Sequence, residues 1–480
     1  MTTFLPEDNS FNVTDFCNQL ETLNKENQTL NYKGADITYS EGKVRNIYQV
    51  PKYNIVIFEH SDRLSAYDSN ICDIKYKGLF LNITNNWWMN NTRHIIDNHL
   101  LLAQGKYLIG KLCNPIKLEI IVRGYITGSS PTSLWTLYQE NKHGVYGVEL
   151  PSNLKKNQKL ENPIITPTTK GDVDIPLSGE KIVNDGYLEE SQWNFIKEKA
   201  IELFTFGSNV ANSKGLILVD TKYEFGIDNK GNIILIDECH TCDSSRYWKL
   251  HSYQQKFQNG EDPENFDKEQ VRKYINKLNP EFKKTPLDKR TIPIVDDITK
   301  SAVLKAYSDI YYTLTGNNNS YGSNLDDSNN NLNNITLEQC VSNYFDNLAP
   351  LVLVLAGSRS DIEVVKQLND ILDKEGLPYH NYFHSAHKET QLVVNLIQYY
   401  EKLYGFRKIV YITIVGKSNA LGGVLAANTK FPVINCPNFK SDADMIINLN
   451  SSIQMPSKVP VATILNKENA VLFAKKVFNL

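Results

Sequence analysis

The sequence predicts two domains: a mixed region of helices and strands, followed by an α/β domain with a doubly wound parallel sheet. Three observations support this prediction. The stretch from Gly316 to Asn334 is rich in Asn and Ser and almost free of apolar residues, so it cannot contribute to a core. The region after it alternates apolar strand-like runs with helical patterns. Its first run, Leu351–Ala356, is continuously apolar, which is typical of a strand buried on both faces of a parallel sheet.

The predicted boundaries divide the 480 residues into four parts. Residues 1–35 are polar and are predicted to be a loosely held extension, and residues 36–315 form the first domain. Residues 316–336 are predicted to be a disordered linker, and residues 337–480 form the second domain. The chain is long enough for two separate cores.

The strands and helices of the second domain follow in order along its sequence. Ile362–Gly376 has apolar residues at positions 362, 365, 368, 371 and 372, which is one face of a helix ended by its glycine. Further strand-like runs follow at Ile409–Val415, Phe431–Asn435 and Val459–Leu465. This alternation predicts a doubly wound sheet, in which ligands bind at the carboxyl ends of the strands.

Composition and charge exclude several functional classes. The net charge of −3 provides no basic surface for nucleic acid. The chain has no run of about 18 apolar residues that would span a membrane, and its first ten residues do not resemble a secretory signal. The seven cysteines are scattered and odd in number, as expected for reduced thiols. We therefore expect a cytoplasmic protein without nucleic-acid or membrane partners.

The first domain has its strongest chemical signal in a predicted hairpin. Its strands, Leu216–Gly226 and Ile233–Glu238, flank a turn rich in Gly, Asp and Asn. Alternate side chains of a strand share a face, which places three charged residues together: Asp220, Lys222 and Glu224. The returning strand brings Asp237 near Lys222 or Glu224. Such oxygen ligands suit Mg²⁺ bound together with phosphate oxygens, and a surface hairpin with salt-bridged charges is the alternative.

The ten residues after this hairpin read C-H-T-C-D-S-S-R-Y-W, from position 239 to 248. Together with the hairpin they resemble the signature of SAICAR synthetase, an ATP-dependent ligase of purine synthesis. Cys242 stands where the family usually has Pro, and His240 occupies a variable place. Cys239 and Cys242 have the spacing of a metal or redox pair, but no second pair completes a zinc site, so we expect a structural role.

Other segments resemble the family in the same order along the chain: Glu41–Tyr48, Ser61–Asp68, Ile120–Ser129, Thr166–Lys170 and Asp267–Arg272. Two departures stand out, because Asn46 replaces the usual Asp and Val173 stands where many relatives have His. The resemblance covers roughly residues 35–315 and implies a two-lobed, ATP-binding α+β fold.

Membership of that family would imply a reaction and a set of site residues. The carboxylate of CAIR, an aminoimidazole carboxylate ribonucleotide, is phosphorylated by ATP, and the amine of L-aspartate then displaces phosphate to give SAICAR. The implied cofactors are ATP and Mg²⁺, with Lys222 as a catalytic residue and Glu224 and Asp237 as metal ligands. The resemblance assigns ATP to Gly42, Lys43 and Lys170. It assigns the anionic substrates to Arg123, Ser129, Asp174, Arg246, Lys268 and Arg272.

The second domain carries its polar signals in three segments that each follow a strand: Gly357–Asp361, Ser385–Lys388 and 416–422. We expect these loops to converge on one crevice, with phosphate at the helix that begins after the first loop. The loops resemble those of AIR carboxylase, and the third resembles relatives that use CO₂ without ATP, with Lys417 in place of Arg. In that resemblance His387 is the catalytic acid/base. The substrate AIR is assigned to Ser358, Asp361, Ser385, Lys388, Gly416, Ser418 and Asn419.

The two resemblances together predict a bifunctional enzyme of purine synthesis, because the second domain would make the CAIR that the first consumes. Its order resembles the bifunctional enzyme of animals, and carboxylases of this type imply a homo-oligomer formed through the second domain, an octamer. The alternative is a ligase whose second domain is a non-catalytic assembly or binding module, since the sequence ends at Phe473–Leu480 where relatives continue into a packing helix. A kinase-like phosphotransferase is a third hypothesis, which Arg123 and the Asp243–Arg246 run disfavour.

Overall fold

The computed structural model describes residues 12–67, 69–129, 133–171, 174–266, 269–282, 285–316, 335–348, 350–404, 408–415, 420–439 and 441–478. The described chain divides into two compact units, with the boundary between Val341 and Ser342. Residues 317–334, which are most of the predicted linker, lie outside the described part.

The first unit begins with a six-stranded antiparallel sheet in the order β1-β2-β3-β4-β8-β7, beside a two-stranded ribbon, β5-β6. Strand β2 alternates buried and exposed residues because its sequence, A-D-I-T-Y-S-E, alternates apolar and polar side chains. The elements of this part are α1 (Val13–Glu21), β1 (Thr29–Tyr32), β2 (Ala35–Glu41), β3 (Arg45–Val50), β4 (Ile55–His60), β5 (Arg63–Ala66), β6 (Ser69–Asp73), α2 (Lys77–Asn91), β7 (Leu100–Gln104) and β8 (Tyr107–Lys111).

A seven-stranded sheet completes the first unit and is centred on its longest strand, β13. Strand β10 pairs with β11, β12 and β13, whereas β13 also pairs with β9, β14 and β15. Its strands are β9 (Asn114–Pro115), β10 (Leu118–Ile126), β11 (Gln158–Ile165), β12 (Thr168–Thr169), β13 (Leu216–Ile227), β14 (Ile233–Ile236) and β15 (Ser245–Lys249). Its helices are α3 (Leu134–Gln139), α4 (Gly179–Asn184), α5 (Glu190–Ser213), α6 (Leu250–Gln258), α7 (Glu269–Leu278) and α8 (Asp297–Thr315).

One hydrophobic core joins these elements and fixes the position of β13. It contains Trp88 of α2, Phe204 of α5, Tyr223 of β13 and Tyr307 of α8, and all four side chains are buried. Burial of aromatic side chains of this size contributes roughly 2–3 kcal/mol each, so the central strand is firmly held.

The structure differs from the predicted loose extension at residues 1–35. Helix α1 and strand β1 lie within this range, and Phe16 and Leu20 of α1 are fully buried. The ring of Phe16 contacts Tyr32 of β1, with 5.3 Å between the ring centroids. Apolar residues at positions 13, 16, 17 and 20 have helical spacing, which the polar composition of the surrounding residues obscured.

The second unit is an α/β fold on a five-stranded parallel sheet in the order β17-β16-β18-β19-β20, which confirms the predicted fold class. The boundary between the units lies inside α9 (Leu337–Leu348), so only the later part of this helix belongs to the second unit. The other elements of the unit are β16 (Leu351–Ala356), α10 (Ile362–Lys374), β17 (Tyr379–Phe383), α11 (Thr390–Tyr404), β18 (Ile409–Ile414), α12 (Ala420–Asn428), β19 (Val433–Asn435), α13 (Asp442–Ile453), β20 (Ala462–Thr463) and α14 (Lys467–Phe478).

The predicted elements of this unit agree with the structure except at one strand. Strand β16 is buried along its whole length, and Gly376 follows α10 with a φ of +67°, a conformation that glycine adopts readily. Only Ala462–Thr463 of the predicted Val459–Leu465 strand forms a ladder, and β20 pairs with β19 there. No helix in the described ranges is both long and apolar enough to cross a membrane.

Candidate functional site

Strand β13 places charged side chains in a row on one face of the second sheet. It pairs with β10 so that Arg123 lies opposite Asp220, and Ile121 lies opposite Lys222. The ammonium of Lys222 lies 2.7 Å from Oε1 of Glu119, on β10, and 3.3 Å from Oε1 of Glu224. These contacts confirm the prediction that alternate residues of this strand share a face.

The carboxylate cluster, which we define as Glu119, Glu224, Asp237 and Glu238, lies at one end of this row. Glu224 is buried, and the ammonium of Lys170 contacts its second oxygen, Oε2. Burial lowers the pKa of Lys222, but the charges of Glu224 and Glu119 outweigh it and raise that pKa well above its usual range. Lys222 therefore remains an ammonium throughout the physiological range.

Arg45, at the start of β3, holds the other carboxylates of the cluster. Its Nη1 lies 2.7 Å from Oδ1 of Asp237, and its Nη2 lies 3.0 Å from Oδ2 of Asp237 and 3.4 Å from Glu238. The ring of Phe58 lies 5.8 Å from the guanidinium carbon. Sequence reasoning missed Arg45, although it stands two residues after Lys43 in a motif that was singled out.

Opposite charge keeps Asp237 ionised in spite of its burial. Burial raises the pKa of this carboxyl, but Arg45, Lys222 and Lys170 outweigh it and hold the pKa well below its usual range. Asp237 also has a φ of +68°, so it follows β14 in a left-handed conformation that turns the chain. Burial raises the pKa of the neighbouring Glu238, which accepts a hydrogen bond from Thr241.

The donor set of this cluster suits a magnesium ion held together with a nucleotide. The four carboxyl groups of the cluster contact three cations of the protein: Arg45, Lys170 and Lys222. Mg²⁺ commonly takes one or two carboxylates and completes its shell with phosphate oxygens and water. No group of three or more His, Cys, Asp or Glu side chains is arranged to hold a metal among the described residues, so the protein alone would provide an incomplete shell.

Two arginines, the arginine pair Arg123 and Arg246, lie at the other end of the row. Asp220 holds both, because Nε of Arg246 donates to its Oδ1 at 2.9 Å and Nη1 of Arg123 lies 3.3 Å from its Oδ2. Arg123 also donates to Thr166 at 2.8 Å. Asp220 and Glu224 are four residues apart, which is about 13 Å along a strand.

The loop after β10 lies beside the arginine pair. Gly128 has a φ of +104°, and a Cβ there would lie 2.5 Å from Ser133 and 3.3 Å from Arg246, so glycine is required. Ser129 follows it and is exposed. Asp174 is exposed too. Burial raises the pKa of Tyr146, whose hydroxyl contacts Arg123, and the charge of Asp174 makes a smaller contribution in the same direction. Gly128, which directly precedes Ser129, therefore lies close to Arg246.

The other predicted residues of this domain lie in a turn, in a helix or outside the described part of the chain. Gly42 and Lys43 lie in the exposed turn between β2 and β3. Arg272 lies in α7, where its side chain is outside the described part, and Lys268 lies outside the described residues.

The signature loop contains a buried ion pair that sequence reasoning missed. Lys77, at the start of α2, is 1% exposed, and its ammonium lies 2.9 Å from Oδ2 of Asp243. Tyr307 donates a hydrogen bond to the other oxygen of Asp243 at 2.6 Å. A buried charge needs such partners, so these contacts fix the loop that carries Arg246.

His240 and the two flanking cysteines have structural positions. His240 is fully buried, with Nε2 2.5 Å from the hydroxyl of Tyr223 and its ring 4.6 Å from that of Trp88. Burial raises the pKa of the Cys239 thiol, which disfavours the thiolate that metals bind.

In the second unit, strands β17, β16 and β18 end at the same level, since Ala356 pairs with both Phe383 and Ile414. Ser358 is exposed in the loop after β16, and Asp361 is buried at the start of α10. Sequence reasoning missed Glu389, which accepts hydrogen bonds from the Ser385 backbone at 3.2 Å and from Nδ1 of His384 at 3.3 Å.

Two of the three predicted loops therefore begin at the same carboxyl edge of the sheet, after the neighbouring strands β16 and β17. His387 and Lys388 are exposed in the second loop, next to the ordered Ser385. The third loop, with Gly416, Ser418 and Asn419, lies outside the described residues. The strand order corresponds to 2-1-3-4-5, in which the crevice opens beside the first strand, here β16.

Comparison with known proteins matches both parts of the chain. The SAICAR synthetase family matches residues 38–288, and the AIR carboxylase family matches residues 351–480. Over 280 residues the chain is 44% identical to the chloroplastic phosphoribosylaminoimidazole-succinocarboxamide synthase of Arabidopsis thaliana, covering 58% of this chain and 66% of that protein. Over 287 residues it is 41% identical to the corresponding Legionella pneumophila (strain Lens) enzyme, covering 59% of this chain and 89% of that protein. A solved structure of the Saccharomyces cerevisiae SAICAR synthase complexed with SAICAR covers 60% of this chain and 96% of its own, with 31% identity and a TM-score of 0.50.

Proposed function

The chain belongs to the SAICAR synthetase family, and on that premise we propose a bifunctional enzyme that makes CAIR from AIR and CO₂ and then ligates it to L-aspartate. The second step, in the first domain, consumes ATP. The single observation that carries the ligase assignment is the charged face of β13, with the carboxylate cluster at one end and the arginine pair at the other. The AIR carboxylase domain carries the first step.

The ligase chemistry needs both ends of this row. A carboxylate is a poor electrophile, because its charge repels a nucleophile and oxide is a poor leaving group. Phosphorylation by ATP corrects both defects, after which the amine of aspartate attacks the acyl phosphate and phosphate leaves. We assign Lys222 and Lys170 to the charge that builds on the transferring phosphoryl group.

The arginine pair binds the anionic groups of CAIR and aspartate in this proposal. A guanidinium donates two parallel hydrogen bonds to a carboxylate or phosphate, so two arginines around one substrate fix its orientation. Asp220 orients both arginines. Ser129 and Asp174 would complete the substrate-binding surface beside them. Lys268 and Arg272 are assigned to the same substrates on the motif alone.

Magnesium would be held by the carboxylates of Glu224, which is buried, and Asp237, which Arg45 keeps ionised. When bound it would neutralise negative charge on the nucleotide phosphates. Lys170 would leave Glu224 for those phosphates, and Gly42 and Lys43 would approach them from the turn between β2 and β3.

In the second domain, the electron-rich C4 of the aminoimidazole ring attacks CO₂ and a new C–C bond forms. His387 then removes the C4 proton, which restores the aromatic ring and leaves the carboxylate of CAIR. The loops that carry Ser358, Asp361, Ser385 and Lys388 would hold the ribose phosphate, since one of them begins a helix.

The test is CAIR formation from AIR and CO₂ by the purified chain, with ATP and aspartate omitted. We expect formation, its loss in H387N and its retention in E224Q. Supplied CAIR should give SAICAR with ATP and aspartate in H387N but not in E224Q, whereas substitution of an exposed glutamate, E149Q, should spare both activities. If the wild-type chain forms no CAIR yet converts supplied CAIR, the second domain is a non-catalytic module.

We further propose that the second domain assembles into a homo-octamer in the cytoplasm. Helix α13 exposes Ile446, Ile447 and Ile453 by 59%, 61% and 55%, an apolar surface that a copy of the domain would cover. All seven cysteines are thiols outside any disulfide, which suits a reducing compartment. Light scattering should give eight times the mass of one chain and a smaller assembly for I447K. A monomeric wild-type protein would contradict the octamer.

A further inference from the structure

The turn between β2 and β3, Gly42–Val44, accepts hydrogen bonds from Ser61 and Arg63. Both belong to the Ser61–Asp68 motif, to which no role was assigned. Nη2 of Arg63 donates to the Gly42 carbonyl at 3.0 Å. The hydroxyl of Ser61 donates to the Val44 carbonyl at 2.8 Å, and the backbone N–H of Ser61 donates to the same oxygen at 2.9 Å. The carbonyls on both sides of Lys43 are therefore anchored.

Asn46 extends this arrangement and explains a departure from the family pattern. Its Oδ1 accepts from Nη2 of Arg63 at 2.9 Å, and its Nδ2 donates to Glu59 at 2.8 Å. An amide satisfies both neighbours, whereas the usual Asp would place a second carboxylate against Glu59. Nη2 of Arg63 therefore donates both to the turn, at Gly42, and to the strand that follows the turn, at Asn46 of β3.

We propose that Arg63 is a positioning residue for ATP binding, which holds the turn so that Lys43 meets the nucleotide phosphates without further ordering. The inference rests on the proposed role of Lys43. Ordering a backbone residue costs conformational entropy, so a turn that is ordered before the ligand arrives binds it more tightly than a free turn does. A planar guanidinium suits this task because it donates from fixed directions, which a lysine ammonium does not.

The test compares R63Q and R63K with R93Q, a matched control on the same part of the fold. Arg93 also donates to a backbone carbonyl, that of Leu100 at 2.7 Å, but does not hold the turn. We expect R63Q to raise the KM for ATP about tenfold with kcat changed less than about twofold, and R63K to have an intermediate effect. R93Q should leave both constants unchanged. Calorimetry with a non-hydrolysable ATP analogue should show the same increase in Kd.

A double-mutant comparison with K43M separates failure of the positioning role of Arg63 from failure of the proposed role of Lys43. If Arg63 acts through Lys43, R63Q should raise the KM for ATP by less than about twofold in the K43M background. Fully multiplicative effects, or an R63Q defect confined to kcat, would overturn the positioning role. If K43M itself leaves the KM for ATP unchanged, the proposed role of Lys43 fails instead. Should R63Q not fold, R63K decides in the same cycle, since it retains the charge.

Discussion

Acid should destabilise the first domain through histidines that are buried in their neutral form, and His240 provides a direct test. Burial lowers its pKa to about 3, and its Nδ1 is buried without a hydrogen-bond acceptor among the described residues. The unfolded chain binds a proton at this histidine below about pH 6.5, whereas the folded protein does not. Stability from this group is therefore fully present above pH 6.5 and is lost as pH falls toward 3.

The magnitude follows from the difference in bound protons. At pH 5.5 an unfolded histidine holds about 0.9 proton and the buried His240 almost none. The free energy of unfolding therefore decreases by about 1 kcal/mol for each unit by which the pH is lowered. His60 and His99 are also buried, with pKa values lowered to about 3 and about 4, so the three together give a slope about three times steeper. Replacing His240 with Gln should remove about a third of the pH slope that these three histidines produce.

Urea unfolding followed by tryptophan fluorescence measures this slope for the first domain alone, because all five tryptophans lie between residues 87 and 248. The midpoint and m value are determined from pH 5 to pH 7 for wild type, H240Q and H251Q, a matched change at an exposed histidine. H240Q also loses the contact with Tyr223, so its stability at pH 7 falls, but the slope is the diagnostic quantity. An H240Q slope equal to that of wild type would refute the argument.

Two other substitutions test the packing and the charge arrangement of the site. D220N leaves Arg123 buried without its carboxylate partner and releases Arg246. We therefore expect the free energy of unfolding to fall by about 3 kcal/mol and the KM for CAIR to rise about tenfold or more. An unchanged KM would contradict the proposed orientation of the substrate by these arginines. G207A should destabilise the first domain by about 1–3 kcal/mol, although alanine favours helices, because the new Cβ would lie 2.3 Å from Cε1 of His240. A urea midpoint at or above that of wild type would show that the His240 ring can move aside.

The period of side chains along a strand explains what could be predicted of the site. Lys222 and Glu224 share a face because alternate residues always do, and Asp237 returns beside them because a short hairpin limits the possible registers. Arg45 and Lys77 could not be found in this way. Both reach their carboxylate partners across more than 160 positions of sequence, and no local pattern encodes such a distance.

The sequence by itself determined the two-domain division, the α/β class of the second domain, and the strand that carries Asp220, Lys222 and Glu224. These properties depend on composition and on local periodicity, which a linear sequence contains in full. Only the tertiary structure decided that α1 packs on β1, that Arg45 keeps Asp237 ionised, and that Arg63 holds the turn between β2 and β3. Each depends on burial and on the approach of distant segments, and both arise only when the sheets pack.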